Sequence, residues 1–544
     1  MKWSRATVIV SGVLLAAALA KTCASQAAPR LHGELVWTIG YDPKSFDPAK
    51  VDDLDSETVR YLTGGVLLRF DRMTQQIEPR LAQSWNVSSD GKIVTFKLRP
   101  GLRFSGGSAL TARDVAWSIQ RVLDPVTGAP TADEFVTPRQ VKVESPDAET
   151  VIVKLPNRVI GIGKIFDEIA IEPAGRPSEG RVTAGPFVIA EYQRSQYVRL
   201  RRNPYYSERD STGAALPYAT GIRLDILENR EEEIRLFLRG ESDLIEKLPP
   251  DYYELLKRRA PETVRDLGPS LNTEQMWFNQ SPASPLPPWE RAWFQSRAFR
   301  VAVSQAIHRN DLARVAFLGH ATPAYSFISP SNVQWYNRNL VAPHFDLAAA
   351  RSALMQAGFQ WRGSQLVDAG GHPVRFSILT NAGNTARQKM ATLIQQDLAA
   401  LGMQVNVVAL DFPALIERLM HTQDYEACLL GLENVDPDPN AQMNVWLSSS
   451  PNHQWNPSEK QPATEWEAEI DRAMNRQATS FSDKERVQAV DRVQQIVADQ
   501  EPFIYLVYPN TLVAASTRLV GVRPVVLQPE LVWNAERLRL RGTP

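Results

Sequence analysis

Residues 81–125 read LAQSWNVSSDGKIVTFKLRPGLRFSGGSALTARDVAWSIQRVLDP. Ser88-Ser89-Asp90-Gly91 is a run of turn formers. After it Val94, Phe96 and Leu98 alternate with Ile93, Thr95, Lys97 and Arg99, the period-2 pattern of a half-buried strand. Pro100-Gly101 stops that strand and Gly106-Gly107 marks a second turn. Thr111 stands three residues before Asp114, which predicts a capping box. Val115, Ile119 and Val122 then share one face of a short helix closed at Asp124-Pro125. Pattern alone reads this stretch as a hairpin and a helix of an ordinary globular domain, with no reactive group.

The order of residues carries more. The stretch resembles the signature of the family 5 extracytoplasmic solute-binding proteins, the peptide/nickel class that serves ABC transporters. Leu81-Ala82, Ser84-Trp85, Ser88, Asp90-Gly91, Phe96, Leu98-Arg99, Gly101, Phe104, Gly107, Leu110-Thr111-Ala112 and Asp114-Val115 match that pattern. Further matches are Pro43-Lys44-Ser45-Phe46-Asp47-Pro48, Ala184-Gly185-Pro186-Phe187, Arg202-Asn203-Pro204-Tyr205-Tyr206 and the run Arg300 to Arg309, in which His308 replaces the usual Asp. The resemblance extends from about Leu35 to Trp533. It implies a two-lobed α/β fold of the periplasmic binding protein type (class II), with an extra subdomain in lobe one and a ligand cleft between lobes.

Length and composition agree with such a fold. The chain has 544 residues, 22% charged and 43% hydrophobic, enough for large buried cores. Its formal charge of −1 supplies no basic field for nucleic acid. Lys2 and Arg5 precede an apolar run from Ala6 to Ala20, and Ser25-Gln26-Ala27 has small residues suited to cleavage, so residues 1–27 are expected to be a secretory signal peptide. Cys23 offers an alternative, lipid anchoring, although Lys21 and Thr22 suit a lipobox poorly. Cys428, in an apolar run, is expected to be a buried, inert thiol.

Strand-rich residues 28–276 are expected to form lobe one, with the extra subdomain at about 66–180. The Pro- and Ser-dense run Ser281 to Pro288 marks the start of a new pattern. Strands then alternate with helices, so residues 277–502 are expected to form an α/β lobe two. Residues 503–544 return to lobe one, and the hinge is expected at Trp277–Gln280 and Phe503–Tyr508. A helix is expected over Asp52–Leu68, and Asn310 is expected to cap another.

No HExxH, Cys-x-x-Cys, G-x-S-x-G or Walker A run is present, so no enzyme, metal site or cofactor is expected. Glu433 to Asn440 is the best ligand-loop candidate, because two prolines stiffen it around Asp436 and Asp438. A rigid surface turn with solvated acids is the bland alternative. In peptide-binding family members an aspartate of this loop pairs with the ligand's α-ammonium. The matching position here is Val435, beside Asp436. Phe46 is a candidate from the cleft-lining turn, and Asn381 stands near where dipeptide binders place a carboxylate-gripping arginine. Trp446, with Trp335 and Trp455, is either cleft lining or core. The resemblance therefore implies capture of a longer peptide, or another small polar solute, by an exported periplasmic monomer that delivers it to an inner-membrane ABC permease. A sensor or chaperone-like role without transport, or an exported hydrolase, remains the alternative.

Overall fold

The computed structural model describes residues 30–542, apart from 136, 137, 176, 435 and 481. The expected signal peptide (1–27) and Cys23 lie outside the described residues.

The decisive stretch folds as its pattern dictates. Strand Ile93–Leu98 lies between Ala82–Val87 and Thr150–Lys154, all antiparallel, with Trp85 opposite Phe96. Its alternation is literal: Val94, Phe96 and Leu98 are buried, while Ile93 and Lys97 face out. Helix Ala112–Leu123 begins at the Thr111/Asp114 capping box and lays Val115 and Ile119, both fully buried, over this sheet. The resulting core runs from Leu67 to Ala184 and includes the edge-to-face pair Phe96–Phe166.

A second, longer sheet carries both lobes. Its order is Gln404–Leu410, Arg375–Asn381, Ala427–Leu432, Thr273–Phe278, Phe503–Ala515, Leu244–Ile245, Glu34–Ile39, Gly221–Ile226, Tyr197–Arg202 and Phe187–Gln193. The 13-residue strand Phe503–Ala515 is common to both halves. Its first part pairs with Thr273–Phe278 and its last part with Val264–Pro269 and Leu244–Ile245. The chain thus passes between lobes at Ser270–Asn272 and around Tyr508–Asn510. The sequence expectation is 277–280 and 503–508, the second of which meets the observed change of partner at Tyr508. Trp277 lies inside the lobe-two sheet, opposite Cys428 and Phe503, and its apolar run belongs to that core.

Lobe two is α/β. Arg375–Asn381 pairs in parallel with Gln404–Leu410 and Ala427–Leu432, and helix Thr385–Ala399 is the connection between the first two. Cys428 is fully buried, and burial raises its thiol well above the ordinary range.

Two local expectations change. The helix expected over 52–68 is Leu54–Thr63, because Gly64-Gly65 packs directly against Ala184-Gly185. A Cβ at Gly185 would stand 2.1 Å from the Thr63 carbonyl oxygen, so only glycine permits the approach. His308, not Asn310, occupies the cap position of the next short helix, and Asn310 lies within it. His308 instead uses its backbone amide and ring nitrogen on Asp397, both at 2.9 Å.

The contact at Gly185 gives a direct check. Gly185→Ala is expected to lower stability by about 1–3 kcal/mol through overpacking, read from the urea midpoint. An unchanged midpoint would mean that the two segments are not held this closely.

Candidate functional site

Strands Glu34–Ile39, Gly221–Ile226 and Leu244–Ile245 run parallel, and their carboxyl ends open onto one cavity. Residues after each strand line it: Gly40 and Tyr41, Leu227 and Glu228, Glu246 and Lys247. This is where open α/β sheets present ligand sites. Across the gap, Glu433, Asp436 and Pro437 follow the lobe-two strand Ala427–Leu432. The cavity has a volume of about 830 Å³, which suits a solute of several residues.

The charge of this wall is uneven. Thirteen Asp and Glu side chains line it, against five Lys and Arg. Each of the five cations already holds a carboxylate. Arg60 grips Glu57 at 2.6 Å, Arg230 pairs with Glu233, and Arg72 approaches Asp167 at 3.4 Å. Lys164 holds Asp436 at 2.5 Å, and Lys247 holds Glu433 at 2.9 Å. These last two pairs join lobe one to lobe two across the cleft.

Several carboxyls have no salt-bridge partner among the described residues, although Lys247 lies near enough to lower the pKa of Asp55, Glu246 and Glu530. Asp55 accepts the Gly40 and Tyr41 amides, and burial nevertheless raises its pKa. Glu246 accepts the Leu531 and Val532 amides at 2.6 and 3.3 Å. Glu530 stands beside it, and burial together with the Glu246 carboxylate pushes Glu530 up to about 8. Glu134 and Glu168 face the cleft from the extra subdomain. Acidic side chains outnumber basic ones on this wall. Aromatic surface is present in Trp37, Tyr41, Tyr61 and Phe70.

Of the five candidate residues, the structure brings only Asp436 to the cavity. Asp438, two residues away, turns inward, caps the turn Pro439–Gln442 and pairs with Arg486 at 2.7 Å. Trp446 is 1% exposed, packs on Phe327 and belongs to the lobe-two core, as do Trp335 and Trp455. Phe46 lies edge-to-face on Tyr192 and lines a separate small hollow. Asn381 accepts from Arg387, whose guanidinium is committed to the buried Glu274 at 2.7 and 3.0 Å. Arg387 is therefore not free to grip a ligand carboxylate. Glu246, Glu530, Asp55 and Lys164 were missed. The acidic run Asp52-Asp53-Leu54-Asp55 is the one sequence signal that points toward this wall.

Comparison with known proteins accords with this geometry. The profile described as "Bacterial extracellular solute-binding proteins, family 5 Middle" matches residues 76–454. A "Probable ABC transporter-binding protein" of Deinococcus radiodurans is 26% identical over 411 residues, 68% of each chain. "Oligopeptide-binding protein AppA" of Bacillus subtilis is 23% identical over 92% of this chain and 90% of its own. Among solved structures, the ABC transporter substrate-binding protein CtaP of Listeria monocytogenes superposes with a TM-score of 0.77 at 22% identity, covering 93% of this chain and 99% of its own. No helix among the described residues is long and apolar enough to cross a membrane.

The two aspartates of the stiff loop should separate by experiment. Asp438→Asn removes one partner of a well-buried ion pair and is expected to cost about 3 kcal/mol in urea denaturation. Asp436→Asn, at the cleft, is expected to cost less than about 1 kcal/mol. Equal losses would contradict the different surroundings of the two side chains.

Proposed function

The chain belongs to family 5 of the bacterial extracellular solute-binding proteins, and we propose that it captures peptides, or related small polar solutes, that carry cationic groups. Delivery to an ABC permease of the inner membrane follows from that role. Export by the leader ending near Ala27, periplasmic residence and a monomeric state complete the reading.

The observation that carries this reading is the charge of the cleft. Its five cations each hold a carboxylate, while Glu246, Glu530 and Asp55 make no salt bridge among the described residues. A ligand ammonium or guanidinium gains several carboxylate acceptors there, whereas a ligand carboxylate meets no available cation. Asp436 is the proposed anchor on the lobe-two side. The incoming cation would take the place of Lys164, and the Lys247–Glu433 pair would still close the lobes. Closure then depends on exchanging one ion pair for another, which keeps affinity moderate and allows release.

Calorimetric titration with peptides of two to ten residues tests this. Lysine- or arginine-bearing peptides are expected to bind, and the same peptides with glutamate in those places are not. Asp436→Asn is expected to weaken cationic peptides about 10- to 100-fold, the equivalent of one charge-assisted hydrogen bond of about 1.5–3 kcal/mol. Lys164→Met is expected to strengthen them. Preference for acidic peptides would refute the charge argument, and an unaltered Asp436→Asn would limit that residue to the interlobe pair.

The pH dependence has a definite sign. Burial and the neighbouring Glu246 carboxylate raise the pKa of Glu530 to about 8. A cation beside it favours the ionised form, so binding expels the proton. Affinity for cationic ligands is expected to rise from about pH 6 toward pH 8 and then level off. Glu530→Gln is expected to flatten that rise. A flat profile in the parent protein would show that no ligand cation comes near Glu530.

A further inference from the structure

Three metal-ligating side chains meet in lobe two, away from the cleft. His453 and Glu459 lie on the irregular segment 447–464, and Glu467 is in the first turn of helix Glu465–Thr479. His453 Nε2 stands 3.5 Å from Glu459 Oε1 and 3.7 Å from Glu467 Oε1. The three side chains are 1%, 4% and 3% exposed. One ligand atom from each falls within 4.8 Å of the other two.

The remaining atoms of these groups are already engaged. His453 Nδ1 faces the Val445 carbonyl at 3.0 Å, which puts the ring proton on Nδ1 and leaves a lone pair on Nε2. Glu459 Oε2 accepts the Ala463 amide at 2.6 Å. Glu467 Oε2 accepts the Thr464 hydroxyl at 2.7 Å, and its Oε1 accepts the Trp455 indole N–H at 2.9 Å. One lone-pair-bearing atom of each group therefore faces the other two. His453 Nε2 and Glu459 Oε1 are buried without a hydrogen-bond partner. Separations of 3.5 and 3.7 Å exceed the usual hydrogen-bond range. They come close to the edges of a coordination tetrahedron, the second slightly long: bonds of about 2.0–2.2 Å to nitrogen and oxygen put neighbouring ligand atoms about 3.3–3.6 Å apart.

We propose that His453, Glu459 and Glu467 bind a divalent first-row cation, best fitted by zinc, with water in the fourth position. One imidazole and two carboxylates form a donor set suited to zinc, and the Nδ1–carbonyl and indole–carboxylate bonds orient the ligands from behind. The site fastens segment 447–464 to the helix that follows. Its setting is structural: His453 lies 3.9 Å from the Trp455 ring, and Trp455 packs at 5.1 Å on Phe503, the first residue of the strand common to both lobes. The cation would thus brace the edge of lobe two where that strand begins.

The test is metal content and melting midpoint of the protein stripped with a chelator and dialysed against one equivalent of zinc. One zinc per chain and a higher midpoint, reversed by chelator, are expected. Glu459→Gln retains an acceptor for the Ala463 amide and should fold; it is expected to bind zinc more than about 10-fold more weakly. Asp436→Asn, at the cleft, should retain its zinc. Failure of the parent protein to hold zinc, with a midpoint that follows pH and not metal, would make the group a histidine protonated between two carboxylates and overturn the site. Zinc kept by Glu459→Gln but lost from Asp436→Asn would also overturn it, in favour of the cleft.

Discussion

Strand Phe503–Ala515 is the constraint on which the two-lobed architecture rests. Backbone hydrogen bonding leaves it little freedom, since both lobes use it as a sheet partner. It is buried over Phe503–Tyr508 and Thr511–Ala514 and less so at Pro509-Asn510, where one sheet partner gives way to the next. Proline lacks an N–H, so the ladder is weakest at that point. The second passage, Ser270–Asn272, lies alongside, where the Ser270 amide bonds the Pro509 carbonyl. Two neighbouring irregular points thus interrupt otherwise continuous strands.

The cleft inherits its place from that arrangement. Parallel strands of lobe one end together, and the strand Ala427–Leu432 brings Glu433 and Asp436 to face them. The lobes meet through Lys164–Asp436 and Lys247–Glu433, exchangeable contacts of partly exposed side chains. Such pairs contribute little to stability in water. The same cavity is lined by carboxyls whose pKa burial raises, Glu134 and Glu530 among them.

Local structure was legible where side-chain periodicity and caps decide it. The Val94–Phe96–Leu98 alternation, the Thr111/Asp114 capping box and the α/β alternation after Asp346 all describe short-range physics. Errors came where distant chain decides. The helix from Leu54 stops at Thr63 because Gly185, over a hundred residues away, needs the space. Trp446 and Asp438 lie in a loop-like stretch, yet Phe327 and Arg486 draw both inward.

The sequence by itself determined the family, the α/β character of lobe two and the loop containing Asp436, because these depend on residue order and local pattern. Tertiary structure alone decided the chemistry of the cleft. A formal charge of −1 over the whole chain conceals thirteen carboxylates around one cavity, since charge balance is summed along the chain whereas electrostatic potential is set by distance. The same reason hid the cluster of His453, Glu459 and Glu467. Their spacing matches no ligand motif, and only the fold of segment 447–464 onto its helix brings the three lone pairs to one point.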